Sequence, residues 1–184
     1  HATWVLDDAG RGEVAELAEE YGAGYLIRPG NAHAQAGNLD AALPRTDGDL
    51  IFVLGADQVP MPDALDAVAG WFEDPQVALV QTAHEVSGHE SVEHRRPGRH
   101  EQSVFDGVIQ PGGDRHDAAV WCGPAVMLRR AALDEIGGIA TGTSAEDLHT
   151  TLRLLAAGRR SHFHDEVLVQ GLAQHGLSTE LRRR

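Results

Sequence analysis

Short apolar runs alternate with amphipathic stretches along the first half of the chain. The apolar runs predict strands at Thr3–Leu6, Tyr25–Ile27, Leu50–Leu54 and Val77–Gln81, and helical spacing marks Glu13–Tyr21, Asn31–Leu43 and Pro62–Phe72. Leu50–Leu54 is apolar at successive positions, which is typical of a parallel strand buried on both faces. Repeated strand–helix units of this length predict an α/β fold with a mostly parallel sheet flanked by helices.

The second half of the chain is less regular. Glu85–Arg115 is polar, rich in histidine and arginine and weakly periodic, and we interpret it as an active-site segment or mobile loop with some helix around Glu101–Ile109. Order is predicted to return at Ala118–Cys122 and in the helices Arg130–Ile136 and Glu146–Ala157. In the last helix Leu148, Leu152 and Leu155 share one face. Without repeats or low-complexity tracts, residues 1–184 are predicted to form a single domain.

Charge and composition exclude several classes of protein. The formal net charge of −13 argues against nucleic acid as a partner. The chain has no lysine, and all 15 residues counted as Lys or Arg are arginine. A single cysteine, Cys122, rules out an internal disulfide. No apolar run approaches the roughly 18 residues of a membrane helix, and the N-terminus lacks the pattern of a signal peptide. We therefore expect this chain to be soluble, and we expect both of its ends to be cut from a longer protein.

Three acidic clusters are the strongest candidates for chemistry. Asp7-Asp8 and Asp57 each follow a predicted strand directly, so we expect them along one edge of the sheet. Carboxylates gathered there repel one another unless ligand hydroxyls or a cation such as Mg²⁺ or Mn²⁺ lie between them. The alternative for each is a turn residue or a helix N-cap.

The third cluster, Glu146-Asp147, opens a predicted helix. One reading is simple electrostatics, since acidic residues are favourable at a helix N-terminus. The other makes Asp147 a general base that takes a proton from a hydroxyl.

The histidines and the cysteine offer weaker signals. The even spacing of His84, His89 and His94 is not a recognisable zinc pattern, and His162 and His164 flank Phe163; we interpret most of the histidines as polar loop residues. Cys122 is interpreted as a small packed apolar residue rather than a nucleophile.

Six segments, taken in order, resemble the motifs of family 2 glycosyltransferases of the cellulose-synthase type. They are VLDD at Val5–Asp8, NAHAQAGNLDAAL at Asn31–Leu43, GADQVP at Gly55–Pro60, VQT at Val80–Thr82, VIQPGGDRHDAAVWCG at Val108–Gly123 and GGIATGTSAEDLHTTLRL at Gly137–Leu154. The resemblance covers nearly the whole chain.

The resemblance implies a GT-A fold, a nucleotide-diphosphate sugar donor (a UDP-sugar), Mg²⁺ or Mn²⁺, and inverting hexosyl transfer to a carbohydrate or lipid-linked acceptor. By position it assigns nucleotide-sugar binding to Asp7, Asp8, His33, Asn38 and Asp57, with Asp7 and Asp8 at the nucleobase and ribose and Asp57 at the metal and diphosphate. Asp147 becomes the base, with Glu146 beside it, and Trp121, Cys122 and Gly123 line the acceptor end. The resemblance also implies a parent protein with flanking membrane helices and this domain on the cytoplasmic face.

The chain departs from the family pattern at functional positions. Gly55 stands where the first aspartate of Asp-x-Asp is expected, Gln35 replaces a lysine, and Ala145 replaces a threonine. The family's first strand and its Gln-x-x-Arg-Trp motif are absent from this chain. The alternative is therefore a catalytically degenerate or fragmentary relative that binds nucleotide without transfer. A third reading, an Asp-x-Asp phosphatase, needs an aspartate nucleophile where Gly55 stands.

Overall fold

The structure is a computed structural model that describes residues 1–87 and 105–172. Its strands are β1 (Trp4–Leu6), β2 (Gly24–Leu26), β3 (Leu50–Val53), β4 (Gln58–Pro60), β5 (Val77–Ser87), β6 (Val126–Arg129) and β7 (Arg160–Leu172). Its α-helices are α1 (Gly12–Glu20), α2 (Ala34–Ala42), α3 (Ala64–Ala69), α4 (Gln110–Asp114), α5 (Arg130–Glu135) and α6 (Glu146–Ala156). Short 3-10 turns follow α2 and α3, and a π-helical turn, Phe105–Ile109, leads into α4.

The strands form two sheets. One contains β1 and β2 in parallel, and the other has the order β3-β6-β5-β7-β4. In the larger sheet β5 and β7 are parallel, whereas the pairs β3–β6, β6–β5 and β7–β4 are antiparallel. The predicted α/β class is confirmed, but the expectation of a mostly parallel sheet is wrong, because β6 and β4 run against their neighbours.

The hydrophobic core lies on both faces of the larger sheet. Neighbouring residues of β5 and of β6 face two different clusters: Leu79 and Leu128 pack with Leu133 and Leu154, while Val80 and Met127 pack with α3. Leu79 and Leu128 are completely buried. Since burying such a side chain is worth about 1.5–3 kcal/mol, this alternation holds α5 and α6 on one face and α3 on the other.

Strand β7 contains two of the histidines, His162 and His164. The His162 ring stacks on Trp71 with the ring centroids 4.8 Å apart, and His162 Nδ1 lies 2.9 Å from Asp114 Oδ1. The Trp71 indole N–H donates to His164 Nδ1 at 3.2 Å. His162 and His164 are therefore strand residues with specific partners and are not among the polar loop histidines. His84 belongs to β5, and His89 and His94 lie outside the described residues.

Several predicted boundaries shift. Helix α2 begins at Ala34 rather than Asn31, because His33 and Ala34 have positive φ values of 62° and 42°. Pro62 precedes α3 instead of standing in its first turn. Ala118–Cys122, where regular structure was predicted, forms no strand and contains one isolated β-bridge, between Ala118 and Ser161. Of the helix predicted around Glu101–Ile109, the described part is π-helical.

The leucines predicted to share one face of α6 do not form its buried face. Leu148 and Leu152 are 41% and 54% exposed, whereas Thr150, Thr151 and Leu154 are buried. The leucine pattern does not mark the core here, because the two threonine hydroxyls satisfy buried backbone groups, as shown below. In residues 1–87 and 105–172, no helix has both the length and the apolar character needed to cross a bilayer.

Candidate active site

Asp7, at the end of β1, is a buried carboxylate surrounded by donors from its own chain. It accepts hydrogen bonds from the backbone N–H of Ala9 and Arg11, from the Arg11 guanidinium at 3.0 and 3.2 Å, and from the Tyr25 hydroxyl at 2.9 Å. The Arg11 side chain is the main reason that the pKa of Asp7 lies well below its usual range. Asp7 therefore closes the loop after β1, and its acceptor positions are filled.

Asp8 is paired with Arg28, whose side chain also contacts the backbone at the start of α2. Arg28 Nε and Nη2 donate to the two Asp8 oxygens at 2.7 Å each, and this pairing lowers the pKa of Asp8. The same guanidinium donates to the carbonyls of Ala32 and Ala34. Arg28 thus ties the end of β1 to the turn that carries His33.

The three carboxylates expected along one edge of the sheet follow strands of two different sheets. Asp7 and Asp8 follow a strand of the two-stranded sheet, whereas Asp57 follows β3 in the other sheet. Arginine side chains pair with the two carboxylates after β1.

Asp57 lies in the tight turn between β3 and β4. Gln58 Oε1 accepts the Gly55 N–H at 2.9 Å, and a Cβ added to Gly55 would lie only 2.7 Å from Asp57 Oδ1. The Asp57 carboxylate therefore lies against the space that a side chain at position 55 would need. Among the described residues, no three His, Cys, Asp or Glu side chains are arranged to hold a metal ion.

A polar cleft opens between the N-terminus of α2 and the loop before α6. It has a volume of about 440 Å³ and is lined by His33, Ala34, Ala36, Thr141, Thr143, Ser144 and Glu146. Asp40 joins its two walls, because Asp40 Oδ1 on α2 accepts the Ile139 N–H at 2.9 Å. The structure thus brings His33 and Glu146 together, while Asn38 is half-buried further along α2.

Asp147 lies on the first turn of α6 and contacts the Trp121–Gly123 segment. Its Oδ2 accepts the Gly123 N–H at 3.0 Å and its Oδ1 accepts the Leu148 N–H at 2.7 Å. The N-cap position belongs to Ala145, which makes no side-chain cap. Asp147 is therefore not the N-cap residue, and its carboxylate is anchored to a neighbouring loop.

The predicted acceptor-lining residues differ in exposure. Trp121 is 4% exposed, packs in the core and donates its indole N–H to the Gly123 carbonyl, so it does not line an open surface. Cys122 and Gly123 are half-buried, and their acceptor role stays a prediction. Burial, and then the charges of Asp147 and Asp106, raise the pKa of Cys122 to about 11. A thiol protonated at neutral pH agrees with the non-nucleophilic interpretation of Cys122.

Several site residues escaped the sequence patterns. Buried polar side chains at Gln81, Gln110 and Thr151 hydrogen-bond to the backbone of residues 120–122, next to the Gly123 N–H that Asp147 accepts. The available signal was Gln81, a glutamine that follows the apolar run Val77–Val80 of a predicted strand, where an unpaired buried amide would be costly.

Residues 50–184 match the family described as glycosyl transferase family group 2. The chain belongs to this family. It is 42% identical over 188 residues to the cellulose synthase 1 catalytic subunit (UDP-forming) of Komagataeibacter xylinus, and 37% identical over 185 residues to the cellulose synthase catalytic subunit (UDP-forming) of Pseudomonas fluorescens strain SBW25. Both alignments cover 98% of this chain and 25% of the relative, so the chain spans about a quarter of their length.

Solved structures confirm the GT-A fold. The mannosyltransferase PcManGT from Pyrobaculum calidifontis, in complex with GDP-Man and Mn²⁺, superposes with a TM-score of 0.67 at 18% identity, over 99% of this chain and 51% of that one. S. aureus TarS 1-349, in complex with UDP-GlcNAc, gives a TM-score of 0.68 at 16% identity, over 95% and 50%.

Proposed function

We propose that this chain is the core of an inverting glycosyltransferase that moves a hexose from a nucleotide-diphosphate sugar, a UDP-sugar, to a carbohydrate or lipid-linked hydroxyl. The observation that carries the proposal is the Asp147 carboxylate, held by the Gly123 N–H at 3.0 Å on the helix that also brings Glu146 to the polar cleft. The family and the UDP-forming cellulose synthase relatives support the donor class.

Asp147 performs the proton transfer in this proposal. The acceptor hydroxyl oxygen attacks the anomeric carbon and its proton passes to Asp147. The bond from the anomeric carbon to the phosphate oxygen breaks, and the nucleoside diphosphate leaves with the electron pair. Each Asp147 oxygen already accepts one backbone N–H, which fixes its direction and leaves further lone pairs for the proton.

At the nucleotide end, Asp8 is the better candidate of the two carboxylates. Asp7 is 4% exposed and accepts five hydrogen bonds, whereas Asp8 is 21% exposed beside Arg28. We therefore assign the nucleoside contact to Asp8 and a supporting role to Asp7. His33 and Asn38 follow on the adjoining turn and helix.

The family resemblance implies a divalent metal, and the residues fit one only in part. Asp57 supplies a carboxylate, Gly55 supplies none, and the Gln58 oxygen is committed to the Gly55 N–H. Mg²⁺ is often held by one or two carboxylates together with substrate phosphates, so Asp57 would hold the ion jointly with the diphosphate. When bound, the ion supplies charge neutralisation for the departing diphosphate.

The test is transfer from a UDP-hexose with Asp147→Asn as the variant. Asp147→Asn is expected to lower turnover by about 10²–10⁴-fold, the usual contribution of a general base, while nucleotide affinity stays within about two-fold. Loss of nucleotide binding together with turnover would show that Asp147 is only structural. Glu16→Gln, at an exposed acidic residue on α1, is the charge control.

A degenerate, nucleotide-binding relative is the second candidate, favoured by Gly55. Gly55→Asp must first push the Asp57 carboxylate aside, because the two side chains compete for the same space. Gly55→Ala displaces Asp57 without adding a ligand and is the control. If the degenerate reading is correct, the unchanged chain will show no transfer, and calorimetry will show weak, metal-independent UDP binding by the unchanged chain and Gly55→Ala but metal-dependent binding by Gly55→Asp. Transfer from a UDP-hexose by the unchanged chain would contradict it.

A further inference from the structure

Four consecutive backbone N–H groups, those of residues 120–123, are each taken up by a side chain from elsewhere in the fold. Gln110 Oε1 accepts from Val120 at 2.9 Å, Thr151 Oγ1 from Trp121 at 3.0 Å, Gln81 Oε1 from Cys122 at 3.0 Å and Asp147 Oδ2 from Gly123 at 3.0 Å. The segment belongs to no strand, so it has no sheet ladder to satisfy these donors. Side chains from α4, α6 and β5 fix it instead.

Gln81 holds the part of the segment next to Gly123. Its side chain is 2% exposed on β5, and its Nε2 donates to the carbonyls of Thr82, Pro124 and Ala125 at 3.0–3.2 Å. Since Gln81 Oε1 also accepts the Cys122 N–H, the Gln81 amide hydrogen-bonds to the backbone on both sides of Gly123. This turn needs such support because Ala125 has a positive φ of 63°, which is strained for a residue with a Cβ. The positive φ of Gly123, 70°, costs a glycine little.

Thr151 holds the segment from the helix that carries Asp147. Its hydroxyl accepts the Trp121 N–H and donates to the Asp147 carbonyl at 2.9 Å. One buried hydroxyl therefore connects the backbone of Asp147 directly to the segment that its carboxylate contacts. Thr150, the next residue on the same helix, is equally buried but bonds the Glu146 carbonyl and the Ala140 N–H instead.

We infer that Gln81 and Thr151 are positioning residues for the Asp147 carboxylate. They place the Gly123 N–H, and that N–H orients Asp147 Oδ2. The inference rests on the proposed function in so far as Asp147 acts as the base. Neither residue reaches the polar cleft, so both act only through Asp147 and the 120–123 segment.

The experiment compares Thr151→Val with Thr150→Val. Each change removes one fully buried hydroxyl from the same helix and leaves one backbone N–H without its partner. Only Thr151→Val loosens the 120–123 segment. Thr151→Val is expected to lower kcat by about ten- to hundred-fold, since a misplacement of about 1 Å is enough for such a loss, with KM for the UDP-hexose within about two-fold. Thr151→Ser, which retains the hydroxyl, restores kcat to within about three-fold of the unchanged chain.

Amide hydrogen exchange provides a readout that does not need turnover. Thr151→Val and Gln81→Met are expected to speed exchange at Gly123 by about ten-fold relative to the unchanged chain, and Thr150→Val to speed it at Ala140 instead. Gln81→Met replaces the amide with an apolar side chain of similar length, and it serves as the second variant if Thr151→Val fails to fold.

Two results overturn the inference. One is an equal loss of kcat in Thr151→Val and Thr150→Val, which would show a general stability effect. The other is unchanged Gly123 exchange in both Thr151→Val and Gln81→Met. If the unchanged chain shows no transfer, the proposed function fails and the exchange data alone decide whether the segment is held as inferred.

Discussion

The contact between Gly138 and Asp40 gives the sharpest prediction about the cleft. Gly138 has a φ of 89°, and a Cβ at this position would clash with Asp40 Oδ1, the atom that accepts the Ile139 N–H. Gly138→Ala must therefore adopt a left-handed backbone and also displace a carboxylate from its hydrogen bond. Both effects separate the two walls of the cleft.

The magnitude follows from these two terms. A left-handed conformation costs an alanine about 1–2 kcal/mol, and a hydrogen bond to a charged group contributes about 1.5–3 kcal/mol. Gly138→Ala should therefore lower the free energy of unfolding by about 2.5–5 kcal/mol. That loss is large, because a typical domain is stable by only about 5–15 kcal/mol.

Urea unfolding followed by tryptophan fluorescence measures this loss, and two other glycines separate its causes. Gly158 has a φ of 79° with open space around it, so Gly158→Ala reports the backbone strain alone. Gly142 has neither feature, and Gly142→Ala should stay within about 0.5 kcal/mol. In an Asp40→Ala background, Gly138→Ala should cost only the strain. The reasoning is refuted if Gly138→Ala and Gly158→Ala destabilise the chain equally.

Two further predictions concern ionisation. Because Cys122 is the single cysteine, thiol labelling reports on this site alone. The rate of labelling plotted against pH should have its midpoint near 11, and the midpoint should fall in Asp147→Asn because one negative charge near the thiol is removed. An unchanged midpoint would show that the Asp147 carboxylate is too far from Cys122 to raise the pKa of the thiol. Asp7 has a depressed pKa in the folded chain, so its contribution to stability is complete above its unfolded pKa of about 3.9 and is lost as pH falls toward the folded pKa. Acid titration of unfolding should therefore be less steep below about pH 5 in Asp7→Asn and in Arg11→Met; an unchanged slope in both would contradict the Asp7–Arg11 pairing.

Local patterns predicted the first half of the fold well. The strands up to β3 are marked in the sequence by apolar runs, and the helices by helical spacing of apolar residues with glycines at their ends. These patterns depend only on residues close together in the sequence. The boundary of α2 was missed because Arg28 holds the carbonyls of Ala32 and Ala34 in a turn. No composition rule shows that contact, since it depends on how the end of β1 is placed.

Strand β7 shows why the second half was harder. Its polar residues break the apolar alternation that would mark a strand, and they are accommodated by partners far away in the sequence. His164 accepts from Trp71, 93 residues earlier, and His162 contacts Asp114, 48 residues earlier. The predicted roles of the acidic clusters depended on the resemblance, which marked Asp147 but could not show that Asp7 and Asp8 are occupied by arginines.

The orientation of helix α6 determines both which of its side chains are buried and where the Asp147 carboxylate lies. Leu148, Leu152 and Leu155 share one face by spacing, yet burying that face would turn the Thr150 hydroxyl to solvent, because Thr150 lies on the opposite side of the helix. The Ala140 N–H, which donates to this hydroxyl, would then be buried without a partner, and the Thr151 hydroxyl would move away from the Trp121 N–H. An unsatisfied buried donor costs about 1–3 kcal/mol, so these losses offset much of what burying two leucines contributes. The helix therefore turns its threonines inward, and this rotation brings the Asp147 carboxylate onto Gly123.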